Sequence, residues 1–453
     1  MLECKYLRSR LAAAPSWCIS VYAAIAAFGV YFCMYAFRKP FTASGFEGLS
    51  FGHISYKVWL VTAQVIGYAL SKFYGIRFIS GMQLHRRAST IVLLIVVAWM
   101  MLLLLAIVPA PYNIVFLLLN GFPLGMVWGL VFSYLEGRRS TEFMGAVLSI
   151  SFIFSSGVVK SVGKVLMVGH SVNEFWMPFF TGALFVFPLL LFTWLLDQVP
   201  PPSAEDVRLR AERRPMTAVE RKKVVRTFFP GLAIIVVTYS LLTILRDFRD
   251  NFSNELYNEL RLGNDPSVFS RTEIPISLAL LLCMSLLVCV RSNIKAFLVN
   301  HWIVISGYVV ALVSTLLFNA HHVSPFWWML LVGLGLYMSY VPFNCLYFER
   351  MIASFRMRSN FGFLMYISDS FGYLGSVLIL FVREYWDVRL PWVVFFSNMV
   401  LVISVIGIAG TIIVVYYFKK KYDSLDLATK TPTDSLKDGN PPLLVFPDNC
   451  QQA

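Results

Sequence analysis

Long apolar runs separated by short polar turns set the limits on what this chain can become. With soft edges they cover 16–45, 55–79, 88–108, 112–135, 142–167, 174–196, 226–258, 272–290, 296–319, 325–350, 359–384 and 391–418. Each approaches or exceeds the roughly 20 residues an α-helix needs to cross the ~30 Å hydrocarbon core of a bilayer. In lipid only helices and closed barrels satisfy every backbone group. A membrane barrel is built from short alternating segments, whereas these runs are long and continuous. The expected fold is an all-α membrane protein of about twelve transmembrane helices in two six-helix halves. Composition agrees: a soluble chain carries roughly a quarter charged residues, and here 14% are charged and 58% hydrophobic, with mean hydropathy +0.69.

The net charge of +13 would suggest nucleic acid in a soluble protein. Here the cations fall in alternate loops, which is the positive-inside pattern of a membrane chain, and no nucleic-acid partner is expected. Lys5, Arg8 and Arg10 precede the first run, Arg86-Arg87 follow the second, and Arg138-Arg139 the fourth. Arg291 and Lys295 follow the eighth, Arg356 and Arg358 the tenth, and Lys419-Lys420-Lys421 the twelfth. The loops at 109–111 and 320–324 hold no Lys or Arg. Both termini are therefore expected in the cytoplasm, in a plasma or inner membrane. The first run lacks a small-residue cleavage site and reads as a retained helix. The seven cysteines are scattered without a Cys-x-x-Cys pair and read as small core residues.

Pro200-Pro201-Pro202 and a basic stretch mark the only long internal linker. The expected organisation is an N-terminal six-helix half at 1–196, a linker at 197–225, a C-terminal six-helix half at 226–418, and a disordered tail at 419–453.

Within the first run, Tyr31, Tyr35 and Arg38 stand at i, i+4 and i+7, so two phenols and a guanidinium share one helix face. An arginine inside a membrane helix costs about 2.5–3.5 kcal/mol on insertion scales unless it meets water or a partner. In the seventh run Tyr239 again precedes an arginine, Arg246, by seven residues. Lys72 lies in the second run with Gln64 and Tyr68 above it on the same stripe.

Several stretches together resemble one known family. Tyr-x-x-x-Tyr-x-x-Arg-Lys in the first helix, Ser71-Lys72-Phe73 in the second, Asn120-Gly121-Phe-Pro-Leu-Gly125-Met126-Val-Trp128 in the fourth and Phe371-Gly372-Tyr373-Leu374-Gly375-Ser376 in the eleventh are similar to the organophosphate:phosphate antiporter branch of the major facilitator superfamily. The chain looks like a distant, functionally unassigned relative of that branch. The resemblance implies two parallel halves around a site near the midplane, and it places Arg246 where the branch keeps its second phosphate-binding arginine. The chain departs from the pattern in four places. The loop after the second helix lacks the Asp-Arg core of the superfamily signature, and the loop after the eighth, Arg291-Ser-Asn-Ile-Lys, has lost it too. The fifth helix has Lys160 but no histidine, and the seventh continues as Arg246-Asp247-Phe248-Arg249-Asp250.

Arg38 and Arg246 are the candidate clamp for an anionic substrate, because guanidinium forks match phosphate or carboxylate oxygens and keep their charge. Lys72, Tyr31 and Tyr35 complete the candidate binding set. The alternative for each arginine is a helix end whose side chain snorkels to the headgroups, or, for Arg246, a self-neutralising ladder with Asp247, Arg249 and Asp250. Those three, with Lys160, Glu273 and Asp369, are the candidate gating or coupling residues. Glu273 is expected to pair with Arg246 or Lys72 in the absence of substrate, or to serve as a helix-start carboxylate. Asp369 is a candidate proton carrier. Arg350, Glu136 and Glu349 read as salt-bridge partners between the halves, and Gly121, Gly125, Gly372 and Gly375 as sites of close helix packing.

The expected function is secondary transport of a small anionic solute, phosphate or a phosphorylated metabolite favoured, in exchange for phosphate or together with protons. A carrier of neutral or zwitterionic solutes, with structural arginines, and a transporter-like sensor remain as alternatives. No ATPase, zinc-protease or hydrolase motif occurs, and His321-His322 has no third ligand nearby in sequence. No catalytic activity, cofactor or metal is expected.

Overall fold

The computed structural model describes residues 4–80, 82, 86–136, 138, 140–202, 206, 218–290, 292–355, 361–385 and 390–430. Among them are twelve long helices: α1 (Ser16–Tyr35), α2 (Tyr56–Ser80), α3 (Arg87–Ile107), α4 (Ile114–Leu135), α5 (Thr141–His170), α6 (Met177–Asp197), α7 (Ala218–Asn251), α8 (Val268–Val288), α9 (Asn293–Asn319), α10 (Pro325–Ser354), α11 (Phe361–Tyr385) and α12 (Trp392–Lys430). Ten of these are long and apolar enough to cross a membrane; the other two, α2 and α11, hold the facing charges Lys72 and Asp369. Large apolar side chains such as Leu93, Phe187, Leu282 and Val402 point outward from the bundle. The chain is a multi-pass membrane protein.

The same packing scheme recurs twice. In the first six helices α1 packs on α5 and α6, α2 on α4, and α3 on α6. In the last six α7 packs on α11 and α12, α8 on α10, and α9 on α12. Such a parallel repeat is what builds two similar halves side by side. The halves meet where α5 packs against α8 and the Phe343–Tyr347 stretch of α10, and where α2 packs against α11.

These two seams differ in chemistry. At the first, Ile150 and Ile153 of α5 join Ile276, Leu280 and Met284 of α8 in one buried apolar cluster. Gly157 lets the backbones close: a Cβ there would lie 2.6 Å from the Glu273 Cβ and 2.8 Å from the Phe269 carbonyl oxygen. At the second seam the contact is polar and aromatic, with Lys72 on Asp369 and Tyr68 edge-on to Tyr373 at 5.8 Å. Within the halves, a Cβ on Gly125 would meet the Tyr68 carbonyl oxygen at 2.9 Å, and one on Gly372 would meet Thr243 at 2.8 Å. Gly121 likewise sits against the α2 backbone and Gly375 against Ile244. All four of these glycines serve close packing, which in lipid replaces the hydrophobic effect as the force between helices.

The end of the bundle where α6 stops, at Asp197, and α7 begins, at Ala218, is the linker end. At the opposite, far end the segment after α1 forms a 3₁₀ turn, Pro40–Ala43, and a hairpin of β1 (Ser50–Phe51) and β2 (Ile54–Ser55). Gly52 and His53 both take positive φ, the pattern of a two-residue hairpin turn. A short helix, Ser253–Glu259, follows α7 at the same end.

Three boundaries differ from the sequence reading. The first helix stops at Tyr35, not near 45, because Pro40 removes a donor and the chain tightens into the 3₁₀ turn. The seventh helix begins at Ala218, inside the expected linker. The twelfth runs past 418 to Lys430, inside the expected tail. It is held there by the Lys421 ammonium, which donates to the Thr227 carbonyl at 2.5 Å and lies 4.6 Å over the Phe228 ring. Arg139, Arg291, Arg356, Arg358, most of the linker and the tail beyond Lys430 lie outside the described residues.

Candidate functional site

The buried polar residues converge where the end of α1 meets α2, α7, α10 and α11. The turn after α1 is fixed first. Gln64 of α2 donates to the Arg38 carbonyl at 2.9 Å and to Asn120 Oδ1 at 2.9 Å. Asn120 in turn donates to the carbonyls of Phe37 and Ala98, at 3.0 and 2.9 Å. Both amides are buried, so leaving any of these groups unpaired would cost about 1–3 kcal/mol. Together they hold residues 37–38 in one conformation.

Arg38 then projects among tyrosines. Its guanidinium carbon lies 4.0 Å from the Tyr68 ring centre and 5.5 Å from that of Tyr35, and Nη1 donates weakly to the Tyr35 hydroxyl at 3.4 Å. Tyr31 packs on Tyr35 at 5.4 Å between ring centres. The Arg38 Nε is buried without a hydrogen-bond partner, and no carboxylate comes within ion-pair distance of this guanidinium among the described residues. Arg38 lies just beyond the helix rather than on it, yet the turn keeps it beside the two tyrosines that the i, i+4, i+7 pattern grouped with it.

Arg246 is differently placed. Its Nε and Nη2 donate to Asp247 Oδ1 at 3.0 and 2.7 Å, while Nη1 donates to the Tyr340 hydroxyl. Its guanidinium lies 4.4 Å from the Tyr340 ring centre. The other oxygen of that carboxylate, Asp247 Oδ2, is buried without a partner. From Tyr340 the network continues to Tyr239 at 3.0 Å and from the Tyr239 hydroxyl to Asp369 Oδ1 at 2.6 Å. Asp369 Oδ2 receives Lys72, whose ammonium also lies 5.0 Å from the Tyr373 ring centre. One chain of hydrogen bonds thus runs from Lys72 on α2 through α11, α7 and α10 to the Arg246–Asp247 pair.

Toward the far end stands a second set. Asp250 takes the Lys39 ammonium on Oδ2 at 2.5 Å and the Lys160 ammonium on Oδ1 at 2.6 Å, and Ser156 also donates to it. Lys39 reaches Asn251 Oδ1 at 2.7 Å as well. Beside this, Lys57 of α2 pairs with both oxygens of Glu255 at 2.7 and 2.8 Å, and Lys164 donates to Asn254 at 3.0 Å. Every one of these contacts joins the first half to the second. At the linker end, Arg350 of α10 reaches Glu142 of α5 at 2.8 Å and Asn293 at 2.7 Å.

The expected pairings change accordingly. Glu273 pairs with neither Arg246 nor Lys72; its Oε1 takes Arg249 Nη1 at 2.6 Å, inside the second half. Arg249 stands nearly a turn beyond Arg246 and offset by about 60° around the helix, which brings its guanidinium to Glu273 of α8 and the Met329 carbonyl. The ladder along 246–250 is likewise not self-contained, because only Arg246 and Asp247 pair with each other. Asp250 turns to the two lysines of the first half and Arg249 to Glu273. Lys160 is held by Asp250 and Ser253 at the far-end seam. The sequence reading missed Lys39, Lys57 and Glu255 as charged ties. Lys39 had a visible signal, a cation directly before a proline that ends the helix and turns the side chain inward.

Residues 40–421 match the family described only as a family of unknown function, DUF5690. No curated protein matches the sequence. Among solved structures the chain is similar to the nucleoside transporter NupG, with 16% identity and a TM-score of 0.56 over 88% of this chain and 99% of that one. It is also similar to the human organic anion transporter MFSD10 (TETRAN), at 13% identity and a TM-score of 0.55 over 88% of this chain and 100% of that one. A bacterial homolog of the human lysosomal transporter Spinster gives 11% identity and a TM-score of 0.56 over 92% and 99%. At such identities the likeness speaks for the fold, which is the major facilitator fold.

Proposed function

The chain belongs to the DUF5690 family, and we propose that it is a secondary transporter moving a small anionic solute by alternating access, phosphate or a phosphorylated metabolite being favoured. The observation that carries this reading is Arg38. Among the described residues the other cations at the centre, Lys39, Lys72, Lys160, Arg246 and Arg249, each meet a carboxylate, and Arg38 meets none. A permanently charged fork held among phenols is matched by an oxyanion that accepts two parallel hydrogen bonds.

The two arginines then act in sequence rather than as one open clamp. Arg38 receives the anion, with the Tyr35 hydroxyl at hand. Arg246 joins only when the anion replaces Asp247 as its partner, and that exchange passes through Tyr340 and Tyr239 to the Lys72–Asp369 pair. The far-end ties at Asp250 and Glu255 and the linker-end tie of Arg350 to Glu142 are the contacts that open alternately. The Lys and Arg distribution supports a cytoplasmic linker end and cytoplasmic termini. Asp369 is the candidate for coupling to protons, and exchange for phosphate is the other route. Neither needs a chemical step, a nucleotide or a metal.

A second reading follows from Asp247. Its unpaired, buried Oδ2 asks for a donor, and a zwitterionic solute would supply one beside its anionic group. Counterflow in proteoliposomes separates the two readings. Vesicles preloaded with phosphate, a sugar phosphate, an amino acid or a nucleoside are assayed for uptake of the labelled same compound. Uptake of phosphate compounds only supports the first reading, uptake of the zwitterion the second. Uptake of the nucleoside alone overturns both.

A further inference from the structure

The start of α7 carries a feature that lies outside the transport path. Lys222, Arg226, Phe229, Ala233, Val236 and Ser240 follow one another at spacings of four and three, so they form a single stripe along the helix. Lys222 and Arg226 are exposed at the linker end and line one recess together with Arg221, Val225 and Phe229. Val225 and Phe229 also line a second cavity, of about 530 Å³, which extends between α7 and α11 to Leu241, with Ile367 and Phe371 on the far wall. Its two hydroxyls are already satisfied by their own helices, Ser240 on the Val236 carbonyl at 2.7 Å and Ser368 on the Leu364 carbonyl at 3.0 Å. What the cavity can still gain from is apolar contact.

The dimensions and charge select one occupant. From Phe229 to Leu241 the groove rises about 18 Å at 1.5 Å per residue, close to the ~15 Å of hydrocarbon in one leaflet. Phe229, Val237 and Phe371 remain 60%, 54% and 57% exposed, so the groove opens to the surface of the bundle. A free anion would find cations but no use for the apolar length, and a neutral chain would leave the cations unmatched. We propose that this groove binds an anionic phospholipid, its headgroup on Lys222 and Arg226 and one acyl chain between α7 and α11. Basic clusters at the membrane boundary attract acidic headgroups in this manner. The site touches the working parts, because Ser368 in the groove wall directly precedes Asp369.

The test uses the full-length protein in vesicles of phosphatidylcholine containing a minor share of photoactivatable phosphatidylglycerol or photoactivatable phosphatidylcholine, with the diazirine in the acyl chain. Peptide mapping is expected to find label from phosphatidylglycerol concentrated on 229–241 and 364–371, in roughly tenfold excess over label from phosphatidylcholine. Lys222→Gln/Arg226→Gln brings that ratio near unity, and the charge-keeping Lys222→Arg/Arg226→Lys retains it, which separates headgroup recognition from misfolding. Lys419→Gln/Lys420→Gln, at the same end but outside the groove, leaves it unchanged. Equal labelling by the two lipids overturns the proposal, as does label spread evenly over the outer surface. So does an equal loss in the Lys419/Lys420 variant, or protection of the groove by the chain's own linker.

Discussion

Lys72 on α2 and Asp369 on α11 form an ion pair across the seam between the halves, though they stand 297 residues apart in sequence. The pair is asymmetric: Asp369 keeps 7% of its side-chain surface and Lys72 keeps 21%. The carboxylate also receives the Tyr239 hydroxyl at 2.6 Å, which ties this seam to Arg246 through Tyr340. A buried charge left without its partner is costly, whereas replacing both partners with apolar groups is often neutral.

Asp369→Asn should therefore lower the stability of the purified protein by about 3 kcal/mol, the low end for a buried pair because Lys72 is not fully enclosed. Lys72→Met/Asp369→Leu should recover most of that loss. Thermal unfolding in detergent of Lys72→Met, Asp369→Leu and the double variant measures the cycle. Additive losses in the double variant would mean that the two residues do not act as a pair.

Asp250 bears both Lys39 and Lys160, so Asp250→Asn leaves two buried ammonium groups facing each other. The far-end seam should loosen. A cysteine placed at Ser253, which is 6% exposed, should react with a water-soluble maleimide several-fold faster in the Asp250→Asn background than alone. Unchanged labelling would remove this set from the gate.

The α5–α8 seam depends on Gly157, whose missing Cβ leaves room for the Phe269 carbonyl and Glu273. Because one of those neighbours is backbone, Gly157→Ala should force the helices apart. The same Ser253→Cys reporter should label faster, with a fall in melting temperature of several degrees. Gly169→Ala serves as a control, since a Cβ there meets only Val165 at 3.9 Å.

Much of the architecture was legible in the sequence because each helix had to satisfy its own backbone in lipid, and that demand writes long apolar runs. Helix ends were less so. Pro40 and the Thr42–Lys57 contact decide where the first run stops, and Lys421 on Thr227 decides how far the last helix extends. The residue types at the site were visible as charges inside apolar runs, and Tyr31, Tyr35 and Arg38 do come together. Their partners were not visible. Whether Glu273 meets Arg246 or Arg249 turns on helix rotation, and whether Lys39 meets Asp250 turns on how two halves dock. Neither quantity is set by spacing along one helix.

The central claim is that Arg38 is the anion's first ligand, and ligand-dependent thermal stability tests it most directly. A compound at about 100 times its Kd should stabilise the protein by roughly 2.7 kcal/mol. Phosphate or a phosphorylated metabolite should raise the melting temperature of the wild type. In Arg38→Gln the same compound should need roughly ten- to a hundredfold more to do so, the loss of about 1.5–3 kcal/mol in charge-assisted hydrogen bonding. Arg246→Gln should weaken it less, since Asp247 already holds that guanidinium. Equal stabilisation of wild type and Arg38→Gln by anions, or stabilisation by neutral solutes alone, would contradict the claim and leave Arg38 a structural residue.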